Sequence, residues 1–254
     1  MNITIIGSGN VATVLGRLLK NAGHAIGQVF NRYATHAASL AAELNAEAIS
    51  TTDLIKKDAD IYIVATSDDS LKTIKDWLPL YDKFLVHTAG SASINVFEGL
   101  TTNYGVLYPL QSIRKELPTP REIPFLIDGS TEENKLKLTA LAKTISKNVA
   151  FADDAQRSKL HLAAVMTNNF SNHLYMLAEE YCKKENIDFK LLYPLLLETV
   201  TRLENNSPAE TQTGPAVRND LQTIQKQRDM LSAYPRLLSV YDVLTESIIN
   251  YYSS

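Results

Sequence analysis

The segment IIGSGNVATVL, residues 5–15, contains Gly7, Gly9 and Ala12 at the spacing G-x-G-x-x-A. At this spacing the first glycine permits a tight turn, the second lets the backbone approach a pyrophosphate, and the third small residue lets a helix pack closely on a strand. The pattern lies between an apolar run and a helix-like run, so the free N–H groups of the helix N-terminus would face the phosphates. The alternative is an unused glycine turn. We expect a dinucleotide site with contacts from Gly7, Ser8, Gly9, Asn10 and Val11.

The residues after the second strand-like run indicate which dinucleotide would bind. Sites for NAD usually carry an acidic residue there, which binds the ribose 2′-hydroxyl. This chain has Asn31 and Arg32 in the stretch VFNRYATH, which contains no aspartate or glutamate. A guanidinium pairs well with a 2′-phosphate, so we predict NADP(H) as the cofactor, contacted by Asn31 and Arg32. The alternative is that Arg32 is an ordinary surface arginine.

Small polar residues follow two later strand-like runs, in the stretches ATSDDS and HTAGSAS. Because the carboxyl ends of parallel strands form the ligand-binding edge of such a sheet, these residues would face the cofactor. Two alternatives remain open: Ser67 as a helix N-cap, and His87 as a histidine hydrogen-bonded inside the sheet. We expect the cofactor to be contacted by Thr66, Ser67, His87, Thr88 and Gly90, and the substrate by Ser91.

The segment KLHLAAVMTNNFSNHL, residues 159–174, places polar residues within an apolar helical pattern. At about 100° per residue, His161, Asn168 and Asn172 share one face. A histidine titrates near neutrality, so His161 is the predicted general acid, with Lys159 as the other candidate. The alternative for this stripe is hydrogen bonding between packed helices. We expect Asn168 and Asn169 to orient a substrate and Asn172 to bind it.

Arg218, in the stretch QTGPAVRND, is a further candidate for substrate binding. Its guanidinium would bind a carboxylate or phosphate of the substrate. The equally weighted alternative is a salt bridge among the C-terminal helices.

The elements that must position these residues change type along the chain. Strand-like runs at 2–7, 25–30, 60–66, 83–89, 104–110 and 124–129 alternate with helical patterns. Their continuous hydrophobicity favours a parallel sheet covered on both faces. From about Asp153 no strand pattern remains, and a long helix is predicted from there to about residue 187. We therefore predict an α/β Rossmann-type NADP-binding domain over residues 1–152, followed by an all-α C-terminal domain over residues 153–254.

Composition narrows the possible partners. The formal net charge of −3 over 254 residues, without a basic cluster, gives no reason to expect binding to nucleic acid or to an anionic membrane. The single cysteine, Cys182, excludes an intrachain disulfide and a cysteine-rich metal site. No apolar run approaches the roughly 20 residues of a transmembrane helix. We expect a cytoplasmic protein without a metal centre.

Six segments together resemble bacterial Rossmann-like proteins whose C-terminal part is the domain of unknown function 2520. The N-terminal part is similar to the NADP-binding domain of pyrroline-5-carboxylate reductase, ketopantoate reductase and the deazaflavin-dependent NADP oxidoreductases. The C-terminal part resembles the helical domain of the 6-phosphogluconate dehydrogenase superfamily. This resemblance implies the fold, the cofactor NADP(H), and homodimerisation through the C-terminal helices. The segments are IIGSGNVATVLGRLL, HTAGS, YPLQS, KLHLAAVMTNNFSNHL, LLYPLLLET and QTGPAVRND.

The chain departs from related dehydrogenases at one point. Hydroxyacid dehydrogenases and ketopantoate reductase place a catalytic lysine four residues before an asparagine, whereas Ala163 follows Lys159 at that distance. The favoured hypothesis is an NADP(H)-dependent oxidoreductase that transfers a hydride to or from a small C=O or C=N substrate. The missing lysine–asparagine pair motivates an alternative, a non-catalytic NADP-binding sensor or partner protein. A third hypothesis is a different nucleotide ligand in the glycine turn.

Overall fold

The computed structural model describes residues 1–120 and 122–253. These residues form two compact units, the first spanning Met1–Asn169 and the second beginning at Phe170.

The first unit is built on one eight-stranded sheet with the strand order β3-β2-β1-β4-β5-β6-β7-β8. All neighbouring strands are parallel except β6 and β7, which pair antiparallel. The predicted Rossmann-type α/β fold is therefore confirmed, with two strands, β7 and β8, that run opposite to the other six, a reversal that the hydrophobic pattern did not reveal. The strands are β1 (Asn2–Ile6), β2 (Ala25–Phe30), β3 (Glu47–Ile49), β4 (Ile61–Val64), β5 (Leu85–His87), β6 (Tyr104–Pro109), β7 (Phe125–Gly129) and β8 (Val149–Phe151).

Helices cover both faces of this sheet. Neighbouring strand residues point to opposite faces, so Ile5 belongs to one hydrophobic core and Ile6 to the other. The first core includes Leu15 and Leu138 from helices, and the second includes Leu71. The helices of this unit are α1 (Asn10–Asn21), α2 (Ala34–Leu44), α3 (Asp68–Lys72), α4 (Ile74–Trp77), α5 (Glu132–Lys143) and α6 (Asp154–Ala164).

The long helix predicted after Asp153 is divided in the structure. A π-helical segment, Val165–Phe170, follows α6, and the chain then returns to α-helix. Within this segment the Thr167 hydroxyl donates to the carbonyl of Ala163 at 2.9 Å, a back-bond of the kind that bends helices. The first compact unit therefore contains α6, which lies beyond the predicted boundary at residue 152.

The second unit consists of helices. They are α7 (Ser171–Lys184), α8 (Tyr193–Thr201), α9 (Pro208–Thr211), α10 (Leu221–Met230) and α11 (Pro235–Tyr252). Among the residues that the structure describes, no helix has both the length and the apolar character required to cross a membrane.

A partly buried ion pair within α6, Asp154–Arg157, is hydrogen-bonded to the loop that follows β5. The side chain of Arg157 is 1% exposed, and its Nη2 donates to the carbonyl of Ala92 and to the carboxylate of Asp154, each at 2.6 Å. The two oxygens of that carboxylate also accept from the backbone N–H of Ile94, at 3.0 and 3.3 Å. Burial alone would raise the pKa of Asp154, but hydrogen bonds from Ser93, Ile94 and Arg157 lower it. The N-terminal half of α6 is thus held by its charges to the sheet domain.

Replacing Asp154 with alanine should destabilise the first unit, because the guanidinium of Arg157 then remains buried without its carboxylate. Breaking a fully buried pair costs about 3 to 5 kcal/mol. Since the Asp154 side chain is 39% exposed, we expect a loss of about 2 to 4 kcal/mol in the free energy of unfolding, measured by urea denaturation. Glu133→Ala, which removes the exposed Glu133–Lys137 pair on α5, is the control and should change nothing measurable. Equal losses of unfolding free energy in both variants would contradict the view that the Asp154–Arg157 pair stabilises the packing of α6 on the first unit.

Candidate functional site

A cavity of about 1690 Å³ opens among the loops that follow the parallel strands. Its lining includes every residue that the sequence assigned to the cofactor except His87 and Gly90. The predicted residues that line the cavity are Gly7, Ser8, Gly9, Asn10, Val11, Asn31, Arg32, Thr66, Ser67 and Thr88. The lining also includes Lys115 and Glu116, which sequence reasoning did not identify.

The turn after β1 requires its glycines for different reasons. Gly7 has φ of +118°, and a Cβ there would lie 2.2 Å from the carbonyl oxygen of Ala65, so no other residue fits. Its N–H donates to the carbonyl of Phe30 at 2.8 Å, which ties the end of β1 to the end of β2. A Cβ at Gly9 would meet no atom within 4 Å, and no side chain caps the helix that starts there. The first N–H groups of α1 are therefore available to an anion, and this arrangement fits the diphosphate of a dinucleotide.

The end of β2 presents an amide and a guanidinium. The Asn31 Nδ2 donates to Ser8 Oγ at 2.7 Å, and its Oδ1 accepts from the backbone N–H of Tyr33 at 2.9 Å. Asn31 therefore ties the turn after β1 to the turn after β2. Arg32 is exposed on the cavity wall, with its guanidinium 5.3 Å from the centre of the Tyr33 ring. Within the described part of the chain, Arg32 takes part in no ion pair, so its charge is free to meet a phosphate.

The loop after β6 is attached to α1 at the rim of the cavity. Arg17 Nη1 donates to the carbonyl of Lys115 at 2.9 Å, and the backbone N–H of Lys115 donates to Asn10 Oδ1 at 3.4 Å. Arg17 is itself fixed by an ion pair with Glu43, whose hydrogen bond raises the pKa of Arg17. These contacts join segments about a hundred residues apart along the chain, and no local pattern in the sequence reveals them.

Ser67, in the loop after β4, takes both of the positions that the sequence left open, the N-cap of a helix and the edge where a cofactor would bind. Ser67 Oγ accepts from the backbone N–H of Ser70 at 3.4 Å, so Ser67 caps α3 and lines the cavity at once. Ser91 Oγ donates to Asp68 Oδ2 at 2.8 Å, which links the loop after β5 to the start of α3. The hydroxyl of Ser91 is therefore already engaged by a carboxylate on the cavity wall.

His87 and Gly90 lie outside the cavity lining, contrary to expectation. The His87 side chain is fully buried in β5, and its Nδ1 accepts from the backbone N–H of Ala89 at 3.2 Å. Burial lowers its pKa to about 3, so the imidazole is neutral, and it packs against Phe97. The structure thus places His87 in the alternative role, inside the sheet. At Gly90 a Cβ would lie 2.7 Å from Cζ of Tyr108, so this glycine makes room for the Tyr108 ring.

One face of α6 and its π-helical extension lies against β6 and the residues that follow it. His161 Nδ1 and the Tyr108 hydroxyl are 2.9 Å apart, and the two rings meet edge to face. Asn168, seven residues after His161, accepts through its Oδ1 from the Ser112 hydroxyl at 2.6 Å. The structure therefore brings His161 and Asn168 to the same edge of the sheet as the cavity. Tyr108 and Ser112 were not predicted as site residues, although both belong to the segment YPLQS, which spans the end of the strand-like run predicted at 104–110.

Four other candidates do not join this cluster. Lys159 is exposed and lies about 200° around α6 from His161, so the two proposed acids point in different directions. Asn169 is exposed, next to Asn168 on the π-helical segment. Asn172 and Arg218 are exposed residues of the second compact unit, and their substrate contacts stay predictions.

Two family models match the chain. Residues 2–89 match the NADP oxidoreductase, coenzyme F420-dependent family. Residues 123–248 match the domain of unknown function DUF2520. A comparison with the curated proteins found no match.

Solved structures extend these matches over almost the whole chain. A candidate NADP oxidoreductase from Bacteroides fragilis is 38% identical, with 98% of each chain covered and a TM-score of 0.91. A reductive aminase from Aspergillus terreus, in complex with NADPH and ethyl-5-oxohexanoate, is 16% identical, with 98% of this chain and 94% of that chain covered and a TM-score of 0.75. A 1-pyrroline-5-carboxylate reductase from Streptococcus pyogenes is 15% identical, with 98% of each chain covered and a TM-score of 0.64. At these low identities the last two show a shared fold.

The family confirms the two expectations that the glycine turn and the end of β2 generated, a Rossmann-type nucleotide domain and NADP(H) as its cofactor. With 38% identity over 98% of both chains and both family models matched in order, the chain belongs to the NADP oxidoreductases that carry a DUF2520 domain after the nucleotide-binding domain.

Proposed function

We propose that the protein is an NADP(H)-dependent oxidoreductase that transfers a hydride to or from a small C=O or C=N substrate. The observation that carries this proposal is the position of the His161–Tyr108 pair. Thr88 and Ala89 line the cavity at the end of β5, and the next residue, Gly90, touches the Tyr108 ring. A proton donor thus stands immediately beyond the part of the cavity where a Rossmann fold holds the nicotinamide.

In this proposal, one group of residues binds the cofactor and another transfers the proton and binds the substrate. The N-terminus of α1 binds the diphosphate, and Arg32 binds the 2′-phosphate. When bound, NADPH supplies the hydride. His161 donates a proton to the oxygen or nitrogen of the substrate as the adjoining carbon is reduced, and the imidazole then regains a proton from water. The amide of Asn168, held through its oxygen by Ser112, keeps its N–H groups for a substrate acceptor.

Replacing Arg32 with alanine should remove the preference for NADPH over NADH. Charge-assisted hydrogen bonds to a phosphate contribute about 1.5 to 3 kcal/mol, so NADPH affinity should fall about 10- to 150-fold while NADH affinity stays nearly constant. Isothermal titration of both nucleotides measures this. Lys143→Ala removes an equal charge from α5, outside the cavity lining, and serves as the control. Equal weakening of NADPH and NADH by Arg32→Ala would show that Arg32 does not read the 2′-phosphate.

Replacing His161 with alanine should lower turnover by about 10²- to 10⁴-fold and leave NADPH affinity unchanged. The assay is NADPH oxidation, followed by absorbance, with a panel of small ketones, keto acids and cyclic imines. Lys159→Ala, two residues away on the exposed side of α6, should retain turnover. An active His161→Ala enzyme would overturn the assignment of the acid.

The same panel separates the proposal from its alternative. A non-catalytic NADP-binding sensor would bind NADPH with the Arg32-dependent preference and oxidise none of it with any member of the panel. An oxidoreductase turns over at least one member.

Homodimerisation through the C-terminal helices also belongs to the proposal. Neither α8 nor α11, the longest helix among the residues that the structure describes, contains a buried residue. Large apolar side chains of the second unit are instead exposed, with Leu191 at 73%, Leu197 at 70% and Val243 at 65%. Apolar surface on this scale is typical of protein interfaces. A second copy of the chain is the partner that the family resemblance implies for this surface.

A cytoplasmic location stays a prediction based on cysteine usage.

A charge in this surface should dissociate the dimer. We expect the wild-type protein to sediment as a dimer and Leu197→Glu to shift the distribution toward monomer, because an interface cannot bury an unpaired carboxylate. Leu136→Glu on α5 changes a leucine of nearly equal exposure, 69%, in the first unit and should stay dimeric. A monomeric wild-type protein in sedimentation velocity would contradict the homodimer.

A further inference from the structure

The Tyr108 side chain is restrained by packing and by one hydrogen bond. It is half-buried in β6, its ring rests on Gly90, and Pro109 follows it directly. Burial raises the pKa of the Tyr108 hydroxyl, so it keeps its proton and is able to donate a hydrogen bond. Its hydrogen-bond partner is His161 Nδ1 at 2.9 Å.

The other half of the pair is fixed by the helix that carries it. Arg157 lies one turn before His161 on α6, and its burial against the carbonyl of Ala92 sets the position of this face. Asp154 and Arg157 compensate each other's charge. Burial raises the pKa of Tyr108 and the positive charge of Arg157 opposes this rise, whereas burial and the same charge both lower the pKa of His87. The charged groups that α6 presents at this edge are therefore paired, and the neutral Tyr108 hydroxyl is the group that contacts the His161 ring.

We infer that Tyr108 is a positioning residue, which holds the imidazole of His161 through Nδ1 and leaves Nε2 as the nitrogen that gives the proton to the substrate. This inference rests on the proposed function for its catalytic part. In the reducing direction, the substrate carbon gains a hydride from NADPH, the substrate heteroatom gains the proton from Nε2, and the imidazole is reprotonated by water. Loss of the Nε2 proton leaves a neutral ring protonated on Nδ1, so the Tyr108 hydroxyl oxygen accepts from Nδ1–H before and after the transfer, until water restores the Nε2 proton. In the resting neutral ring, which carries its proton on Nε2, the same hydroxyl donates to Nδ1 instead.

Gly90 provides the space that the Tyr108 ring occupies. A methyl group there would overlap the Tyr108 ring, with contacts of 2.7 Å to Cζ and 3.0 Å to the hydroxyl oxygen. Gly90→Ala therefore displaces the hydroxyl without removing it. The matched control is Tyr104→Phe, which removes a hydroxyl from the same strand, where it donates to Asn95 Oδ1 at 3.3 Å.

The first test reads the imidazole directly and needs no substrate. Protein labelled with ¹⁵N in histidine, in alkaline buffer, gives separate Nδ1 and Nε2 resonances, and loss of a signal in His161→Asn assigns them. The inference predicts one tautomer for His161, protonated on Nε2, with Nδ1 shifted by an accepted hydrogen bond. In Tyr108→Phe and Gly90→Ala the Nδ1 resonance should move toward that of an unbonded nitrogen and a second tautomer should appear, whereas Tyr104→Phe should match wild type. An unchanged His161 spectrum in Tyr108→Phe would overturn the inference.

The second test asks whether Tyr108 acts through His161. With any substrate that the panel identifies, Tyr108→Phe should lower kcat about 10- to 100-fold, with little change in KM or NADPH affinity. The double variant Tyr108→Phe/His161→Asn should be no slower than His161→Asn alone, because a positioning residue has nothing left to position. Additive losses would overturn the positioning role. If no substrate is reduced, the proposed function fails, and the ¹⁵N spectra still decide whether Tyr108 fixes the His161 ring.

Discussion

The buried guanidinium of Arg157 is the constraint on which the arrangement of the site depends. A charge that is 1% exposed must be neutralised and hydrogen-bonded, and its partners are Asp154 on its own helix and the carbonyl of Ala92 in the loop after β5. Meeting these requirements brings the first turns of α6 to the ligand-binding edge of the sheet. His161, one turn later, then reaches Tyr108, and Asn168 on the π-helical segment reaches Ser112. The hydrogen bonds that this ion pair makes to the loop after β5 thus set the place of the polar residues proposed for catalysis.

The cofactor end of the cavity depends on backbone geometry more than on charge. Gly7 adopts a conformation and a contact that admit no Cβ, and its N–H is taken by Phe30, so the turn after β1 is fixed before any ligand arrives. Asn31 adds a side-chain link between this turn and the end of β2. The free N–H groups at the start of α1 and the unpaired guanidinium of Arg32 then present two anion-binding groups to one cavity. Such preorganisation lowers the entropic cost of binding a long, flexible dinucleotide.

Local sequence patterns predicted this end of the molecule because its determinants are local. The glycine spacing, the apolar strands and the missing acid at Asn31 all lie within short segments. The fold and the cofactor that they predict, a Rossmann-type domain and NADP(H), are confirmed. The strands β3 and β8 escaped prediction because three residues are too few to show a period. The strand β7 was predicted, but the reversed direction of β7 and β8 was not, because hydrophobicity does not encode strand direction. His87 was misplaced because sequence cannot distinguish the last buried residue of a strand from the first exposed residue of a loop. Tyr108 and Lys115 were missed because their partners lie far away along the chain. Arg157 was missed because its contact with the loop after β5 is made to a distant backbone carbonyl.

The most direct test of this account is a crystal structure of the complex with NADP⁺. We expect the diphosphate at the N-terminus of α1, the 2′-phosphate on Arg32, and the nicotinamide at Thr88 and Ala89, beside the Tyr108–His161 pair. A nicotinamide ring bound elsewhere, with Tyr108 and His161 facing only protein or solvent, would contradict it.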